Sequence, residues 1–314
     1  MKNITVLTVL VIILGCPVYA QAAKPEKYSF SVTPGMGIFL GRTEEIVYST
    51  SGNYYNEMVS QLLWDIKNIF YYSLNIDFSP VEPLKKHGLF STLALKYAIP
   101  AASGIMEDRD WESEVSSELT CYSRHDNLAQ EFLFLDFIAG YSFPFKNMFV
   151  IKPEIALSYM HFSFAGMDGY QRRGEIFTSF QGRGQVITYI QDWYLISTGA
   201  AFGIKFLERF YFELDFLLSP LVICIDLDFH VLRNVLFKDY MSGGFFLEGG
   251  AFLSFNINKW ITISLKASYR NIAGTRGAAY TRDINKKEKY FTPASEAGSA
   301  LALIDTALAL KIRF

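Results

Sequence analysis

Residues 28–41 read YSFSVTPGMGIFLG, and their two alternating sets decide the fold class. The even positions are Tyr28, Phe30, Val32, Pro34, Met36, Ile38 and Leu40; the odd ones are Ser29, Ser31, Thr33, Gly35, Gly37, Phe39 and Gly41. One face is apolar and the other almost entirely small or polar, which is the two-residue period of a strand. The pattern returns at 261–270, where Ile261, Ile263, Leu265, Ala267 and Tyr269 alternate with Thr262, Ser264, Lys266, Ser268 and Arg270. It returns again at the C-terminus, where Leu308, Leu310, Ile312 and Phe314 alternate with Ala307, Ala309, Lys311 and Arg313. In a membrane strand those cations must face an interior, because on the lipid side each would cost on the order of 2–4 kcal/mol near the midplane.

The composition is 51% hydrophobic and 16% aromatic, yet after the N-terminus no apolar run reaches the ~18 residues a membrane helix needs. A chain this rich in apolar residues that never concentrates them fits a transmembrane β-barrel, whose strands hide hydrophobicity in alternation and satisfy their backbone groups between neighbours. Short turn signals at 146–147, 208–209 and 258–259, with another around Pro83 and Lys85-Lys86-His87, alternate with longer polar stretches at 49–56, 112–121, 165–181 and 281–299. The expectation is an all-β fold: a ten-stranded antiparallel transmembrane barrel with short periplasmic turns and long extracellular loops, His87 being structural at one of those turns.

At the N-terminus, Lys2, an apolar run at 4–14 and the small-residue pattern Val18-Tyr19-Ala20 read as a signal peptide over 1–22, cleaved near Ala20 or Ala22. The barrel then occupies 23–314 as one domain. Leu14-Gly15-Cys16 loosely resembles a lipobox, the alternative reading of this segment. The formal charge of −2 offers no basic excess for nucleic acid, and none is expected as a partner.

Two polar clusters stand out from the alternation: Asp108-Arg109-Asp110-Trp111 and Asp226-Leu227-Asp228-Phe229-His230. If one strand runs over 89–110 with Leu93, Leu95, Tyr97 and Ile99 facing lipid, the even register, including Gly104, Met106, Asp108 and Asp110, points inward. Carboxylates two apart lie on one face, about 6–7 Å apart along the strand, where they can share a proton or hold a water. Asp228 beside His230 can fix the imidazole's tautomer and make it a better base toward water. Here the parity conflicts: the even residues of 210–216 face outward, so His230 reaches the interior only if a bulge intervenes near Ser219-Pro220, or if the strand has already risen above the membrane.

Together these residues resemble the omptin family of outer-membrane proteases, at low identity over essentially the whole mature chain. The family's Asp-x-Asp-Trp falls on Asp108, Asp110 and Trp111, and its Asp-x-His on Asp228 and His230. Its Gly-basic-Thr-x-Glu-x-Val-Tyr segment reads Gly41-Arg42-Thr43-Glu44-Glu45-Ile46-Val47-Tyr48. Its Ser-Arg-His and Lys-Asp appear as Ser123-Arg124-His125 and Lys238-Asp239. The resemblance implies catalysis by Asp108, Asp110, Asp228 and His230 without metal or cofactor. It also implies an acidic pocket of Glu45 and Asp226 for a basic residue before the scissile bond, and a groove lined by Cys121, Ser123 and His125 that faces the outside of the cell. The implied partners are peptides or proteins with basic residues, and outer-membrane lipid.

Two departures are visible. The acid that would favour a basic residue after the cut is Cys121. The family's lipopolysaccharide site is also not matched, since its Tyr-x-Glu-x-Arg stretch is replaced by Ser158-Tyr159-Met160-His161-Phe162-Ser163-Phe164, and a lipid-phosphate arginine by Asp192. Cys121 and Cys224 could pair in an oxidising compartment, but the resemblance sets them on opposite walls of the groove, too far apart to link. A porin or adhesin is the alternative for the barrel, and a lipase built on Ser123 and His125 the alternative for its chemistry.

Overall fold

The computed structural model describes residues 28–50 and 58–314. The signal peptide, Cys16 and most of the 49–56 stretch lie outside the described residues. The elements are β1 (Tyr28–Tyr48), β2 (Met58–Pro80), β3 (Gly88–Ala98), β4 (Ala101–Asp110), β5 (Cys121–Phe145), β6 (Phe149–Arg173), β7 (Ile176–Ser179), β8 (Gln185–Phe206), β9 (Phe210–His230), β10 (Val235–Ser242), β11 (Phe245–Asn256), β12 (Ile261–Asp283) and β13 (Glu288–Arg313). Among the described residues no helix is long and apolar enough to cross a membrane.

Thirteen elements make ten barrel strands. β3 and β4 are one strand broken at Ile99-Pro100, both pairing with β2 and β5. β10 and β11 are one strand interrupted at Gly243-Gly244, both pairing with β9 and β12. β7 only folds back on the end of β6. Every pairing is antiparallel, and β1 joins β13 to close the ring, which leaves the spanning sheet without an edge.

The alternation sorts the side chains as the sequence leads one to expect. Phe30, Met36 and Leu40 of β1 are exposed while Ser31, Thr33, Phe39, Thr43 and Glu45 are buried. An exposed apolar belt including Phe70, Tyr72, Phe137, Ile155, Leu157, Phe216, Leu218, Leu265 and Leu308 encircles the lower part of the barrel. Above it the outer face becomes charged, with exposed Lys67, Arg124 and Asp126, so these upper strands stand clear of the bilayer.

The turns at 146–148, 207–209 and 257–260 are as short as expected, with Lys146 and Asn147 at φ 53° and 55°. His87, at the 81–87 turn, packs edge-on against Phe143 at 5.8 Å. The expected long loops at 165–181 and 281–299 are instead mostly strand: β6 continues to Arg173 and β7 folds back on it, while β12 and β13 continue upward and close in a tight turn at 284–287. Polar residues on both faces disguise a strand that has water on its outside.

A series of bulges lies near where the belt ends. β2 carries an extra residue at Lys67-Asn68 (Asn68 φ 54°), β4 at Ser103-Gly104 (Gly104 φ 76°), and β6 at Asp168-Gly169 (φ 48° and 93°). β9 carries one at Ser219-Pro220, where Leu218 pairs with Thr198 but Leu221 pairs with Ile196. Each extra residue reverses which side chains face inward. On β9 the buried set changes from Leu217 and Ser219 to Val222, Cys224, Asp226 and Asp228, so the first of the two ways out of the parity conflict, a bulge at Ser219-Pro220, is the one the strand takes. On β3–β4 the expected unbroken even register is corrected: Ser103 is buried and Gly104 exposed, and the break at Pro100 and the bulge at Gly104 cancel before Met106 and Asp108.

Buried ion pairs and aromatic rings cross the lumen, with cavities of about 200 and 420 Å³ between them. Lys96 pairs with Asp305, and Arg270 bridges Asp136 and Glu248, each at 2.9 Å. Over them lies an aromatic layer in which Phe39 stacks on Tyr71 and Phe134, and Trp64 stacks on Tyr189 with ring centroids 5.3 Å apart.

Candidate active site

Above the aromatic layer a groove of about 510 Å³ opens, and both sequence clusters line it. From β4 come Asp108 and Asp110, facing Leu62 and Ser60 of β2 on one side and Ser123 and Cys121 of β5 on the other. From β9 come Asp228 and His230, and from β1 comes Glu45. The bulges on β4 and β9 are what bring these residues inward together.

His230 Nε2 lies 2.7 Å from Asp228 Oδ2, and the Asp228 side chain is only 3% exposed. The other ring nitrogen, Nδ1, is in contact with the guanidinium of Arg233, which has protons to give and no lone pair. Nδ1 is therefore the acceptor, and Nε2–H donates to Asp228.

Asp108 is buried, and one of its oxygens has no hydrogen-bond partner. Burial, with the charges of Asp110 and Asp228, holds its carboxyl well above the usual carboxylate range, against an opposing hydrogen bond from Ser123. Asp110 is raised chiefly by burial, although Ser60 and Cys121 donate to it. Both carboxyls therefore hold a proton to higher pH than a free aspartate does.

Next to Glu45, which lines the groove, lies a second acidic group. Asp226 Oδ2 accepts from Tyr189 Oη at 2.9 Å and from Ser299 Oγ at 3.2 Å. Gln191 ties these together, donating to Tyr189 Oη at 2.9 Å and to Ser299 Oγ at 3.2 Å while accepting from Thr43 at 2.6 Å. Glu45 is 4% exposed and its Oε2 has no partner. Asp239 of β10 sits directly across the strand pair from Asp226. Burial and neighbouring acids raise all three: Glu45 and Asp226 well above their ordinary values, and Asp239, beside Asp228 and Glu296, to about 7. Glu45 and Asp239 each keep a buried oxygen without a partner, so the group has acceptors to offer a cation.

Ser123 and His125 line the wall, but not as a nucleophile and its base. Ser123 donates to Asp108, while His125 Nδ1 contacts the Asp168 carbonyl and its ring stacks on Phe180. Cys121 and Cys224 are buried free thiols. Burial and the neighbouring Asp110 push the Cys121 thiol up to about 11, so it presents no charge. Outside the groove, at the top of the lipid belt, Asp192 accepts from Tyr159 at 2.7 Å and lies 2.8 Å from His161.

Asp239, Arg233 and the Thr43–Gln191–Tyr189–Ser299 network were not singled out by sequence reasoning. The network had one signal, Tyr189 and Gln191 sharing the inward parity of Trp193. Asp239 had only its place in the Lys238-Asp239 match, and Arg233 had none.

Comparison with known proteins agrees with this architecture. The Omptin family model matches residues 26–314. The plasminogen activator of Yersinia pestis is 25% identical over 331 residues, covering 100% of this chain and 99% of that protein. The outer membrane protease OmpT of Escherichia coli superimposes with a TM-score of 0.82 at 18% identity, covering 91% of this chain and 97% of that one. With its closed ten-strand ring and a family match over nearly its whole described length, the chain is an outer-membrane β-barrel that belongs to the Omptin family of outer-membrane proteases.

Proposed function

We propose that this protein is an endopeptidase that cleaves after basic residues, using a water activated between the Asp228–His230 and Asp108–Asp110 pairs. The observation that carries the proposal is the convergence of both pairs on one groove above the membrane, with the buried Glu45 lining it as well. Asp228 fixes the imidazole through Nε2, so His230 takes the water's proton at Nδ1. The hydroxide attacks the scissile carbonyl carbon, the Asp108–Asp110 pair helps position it, and the imidazolium returns its proton to the departing amine. Glu45 and Asp226, with Asp239 behind them, receive the guanidinium or ammonium of the residue before the cut. Cys121, Ser123 and His125 border the chain that follows it.

A pore reading is disfavoured by the ion-pair and aromatic layers that cross the lumen. At the rim of the lipid belt an acid-centred cluster, Asp192 with Tyr159 and His161, stands where the family resemblance would put a phosphate-binding arginine, so we assign no lipopolysaccharide requirement to the activity.

The test is a fluorogenic peptide library incubated with refolded protein, beside His230→Ala. Cleavage after Arg or Lys is expected, with at least a ~10³-fold loss in the variant, as removal of a general base produces. Equal cleavage by a variant whose heat-modifiable gel mobility shows it folded would overturn the proposal.

A further inference from the structure

If His230 is the base, the nitrogen it must use is not free. Nε2 is engaged by Asp228 at 2.7 Å, and Nδ1, the lone pair left to accept a proton from water, is covered by the guanidinium of Arg233. Arg233 lies in the four-residue turn between β9 and β10, where Asn234 N–H donates to the His230 carbonyl at 2.8 Å and Asn234 adopts φ 57°. That turn folds the arginine back over the residue three before it. Arg233 is exposed, lines the same groove as Asp108, and its charge reaches that carboxyl. The guanidinium is thus close enough to Asp108 to act on its charge while it covers Nδ1, where a nucleophilic water would have to be accepted.

We propose that Arg233 is a gate on the catalytic histidine: one guanidinium N–H holds the place of the water's O–H at Nδ1, and cleavage requires its withdrawal. The contact keeps the imidazole in the productive tautomer, because an N–H donor at Nδ1 and a water O–H at Nδ1 demand the same lone pair. It also keeps water out until the arginine leaves. An exposed side chain on a turn can do so without moving a strand, since all its anchoring to the site passes through this one contact and long-range charge. The Asp228–His230 pair is therefore assembled but idle in the free protein, and the fraction of molecules with Arg233 withdrawn scales the observed turnover. This inference rests on the proposed role of His230.

The experiment compares wild type with Arg233→Ala in two readouts, after the heat-modifiable gel shift shows both folded. The first is kcat/KM on a peptide with one Arg before the cut. The second is the rate at which diethyl pyrocarbonate acylates His230, mapped by mass spectrometry with turn-borne His87 as internal standard; this reagent needs an unprotonated, uncovered ring nitrogen and does not depend on proteolysis. Removing one charge-assisted hydrogen bond is expected to raise both by about ten-fold. Unchanged acylation of His230 overturns the gate. So does a fall in kcat at constant KM, which would instead make Arg233 a donor to the transition state. If wild type cleaves no basic peptide, the protease reading fails, and the acylation rates still decide whether the guanidinium covers Nδ1.

Discussion

Glu45→Gln removes a charge from the acidic pocket while keeping the side chain's shape, and its effect should fall on one class of substrate. Glu45 is buried, and Oε2 makes no hydrogen bond, so the pocket holds an acceptor in reserve. A hydrogen bond to a charged group contributes about 1.5–3 kcal/mol, which is roughly 10- to 100-fold in kcat/KM for a peptide with Arg before the cut. A matched peptide with Leu there cannot use the carboxylate and should change little. The ratio of the two should therefore drop by about 10- to 100-fold, read from initial rates with internally quenched peptides on refolded protein. There is a pH signature as well. Burial and the surrounding acids keep Glu45 and Asp226 protonated above their ordinary range, while Asp239 titrates at about 7. Binding a guanidinium favours their ionised forms, so the preference for Arg should strengthen as pH rises through that range, and less steeply in the variant. An unchanged Arg-to-Leu ratio in folded Glu45→Gln would refute the pocket assignment.

Asp108→Ala and Asp110→Ala should each impair cleavage, and the double variant should lose far less than the product of the two, because the pair acts as a unit; multiplicative losses in kcat would argue for separate roles. Cys121→Asp should shift cleavage sites, profiled by mass spectrometry, toward a basic residue on both sides of the bond, whereas strict dibasic cleavage by wild type would contradict the reading of Cys121 as uncharged. Asp239→Asn should stabilise the barrel at pH 8 but far less at pH 4, near the ordinary aspartate value. A carboxyl whose folded value is raised contributes stability below its unfolded value and loses it as pH rises through about 7; the midpoint of the heat-induced gel shift at the two pH values checks this.

The membrane half of the fold was legible because lipid imposes a strict rule: any charge on the wrong parity is costly, so Lys266, Arg270 and Lys311 announce the interior. The same rule exposed the phase conflict on β9 and offered Ser219-Pro220 as one of two ways to resolve it, the one the structure shows. Where the strands leave the bilayer that rule lapses, and legibility goes with it. The stretches at 165–181 and 281–299 looked like loops because water on the outer face permits polar residues at every position. The site was legible where it is local: Asp108 with Asp110, and Asp228 with His230, are each two residues apart on one strand. Asp239 became part of the acidic group only through its pairing with Asp226 across β9 and β10, a register that no periodicity fixes. Arg233 depended on a turn's backbone path.

The bulges divide the strands that carry them between two masters. Below them the chain answers to hydrocarbon, which fixes the polarity of every second residue; above them it answers to the groove, and each bulge lets the two phases disagree. The lower barrel can then drift in sequence under membrane rules alone without disturbing which groups meet over the groove. The reverse also holds: losing the single extra residue at Ser219-Pro220 would leave the lipid belt of β9 correct and turn Asp226, Asp228 and His230 toward the outer surface. On this barrel the distance between a hydrolase and an inert membrane cylinder is one residue, placed away from the chemistry.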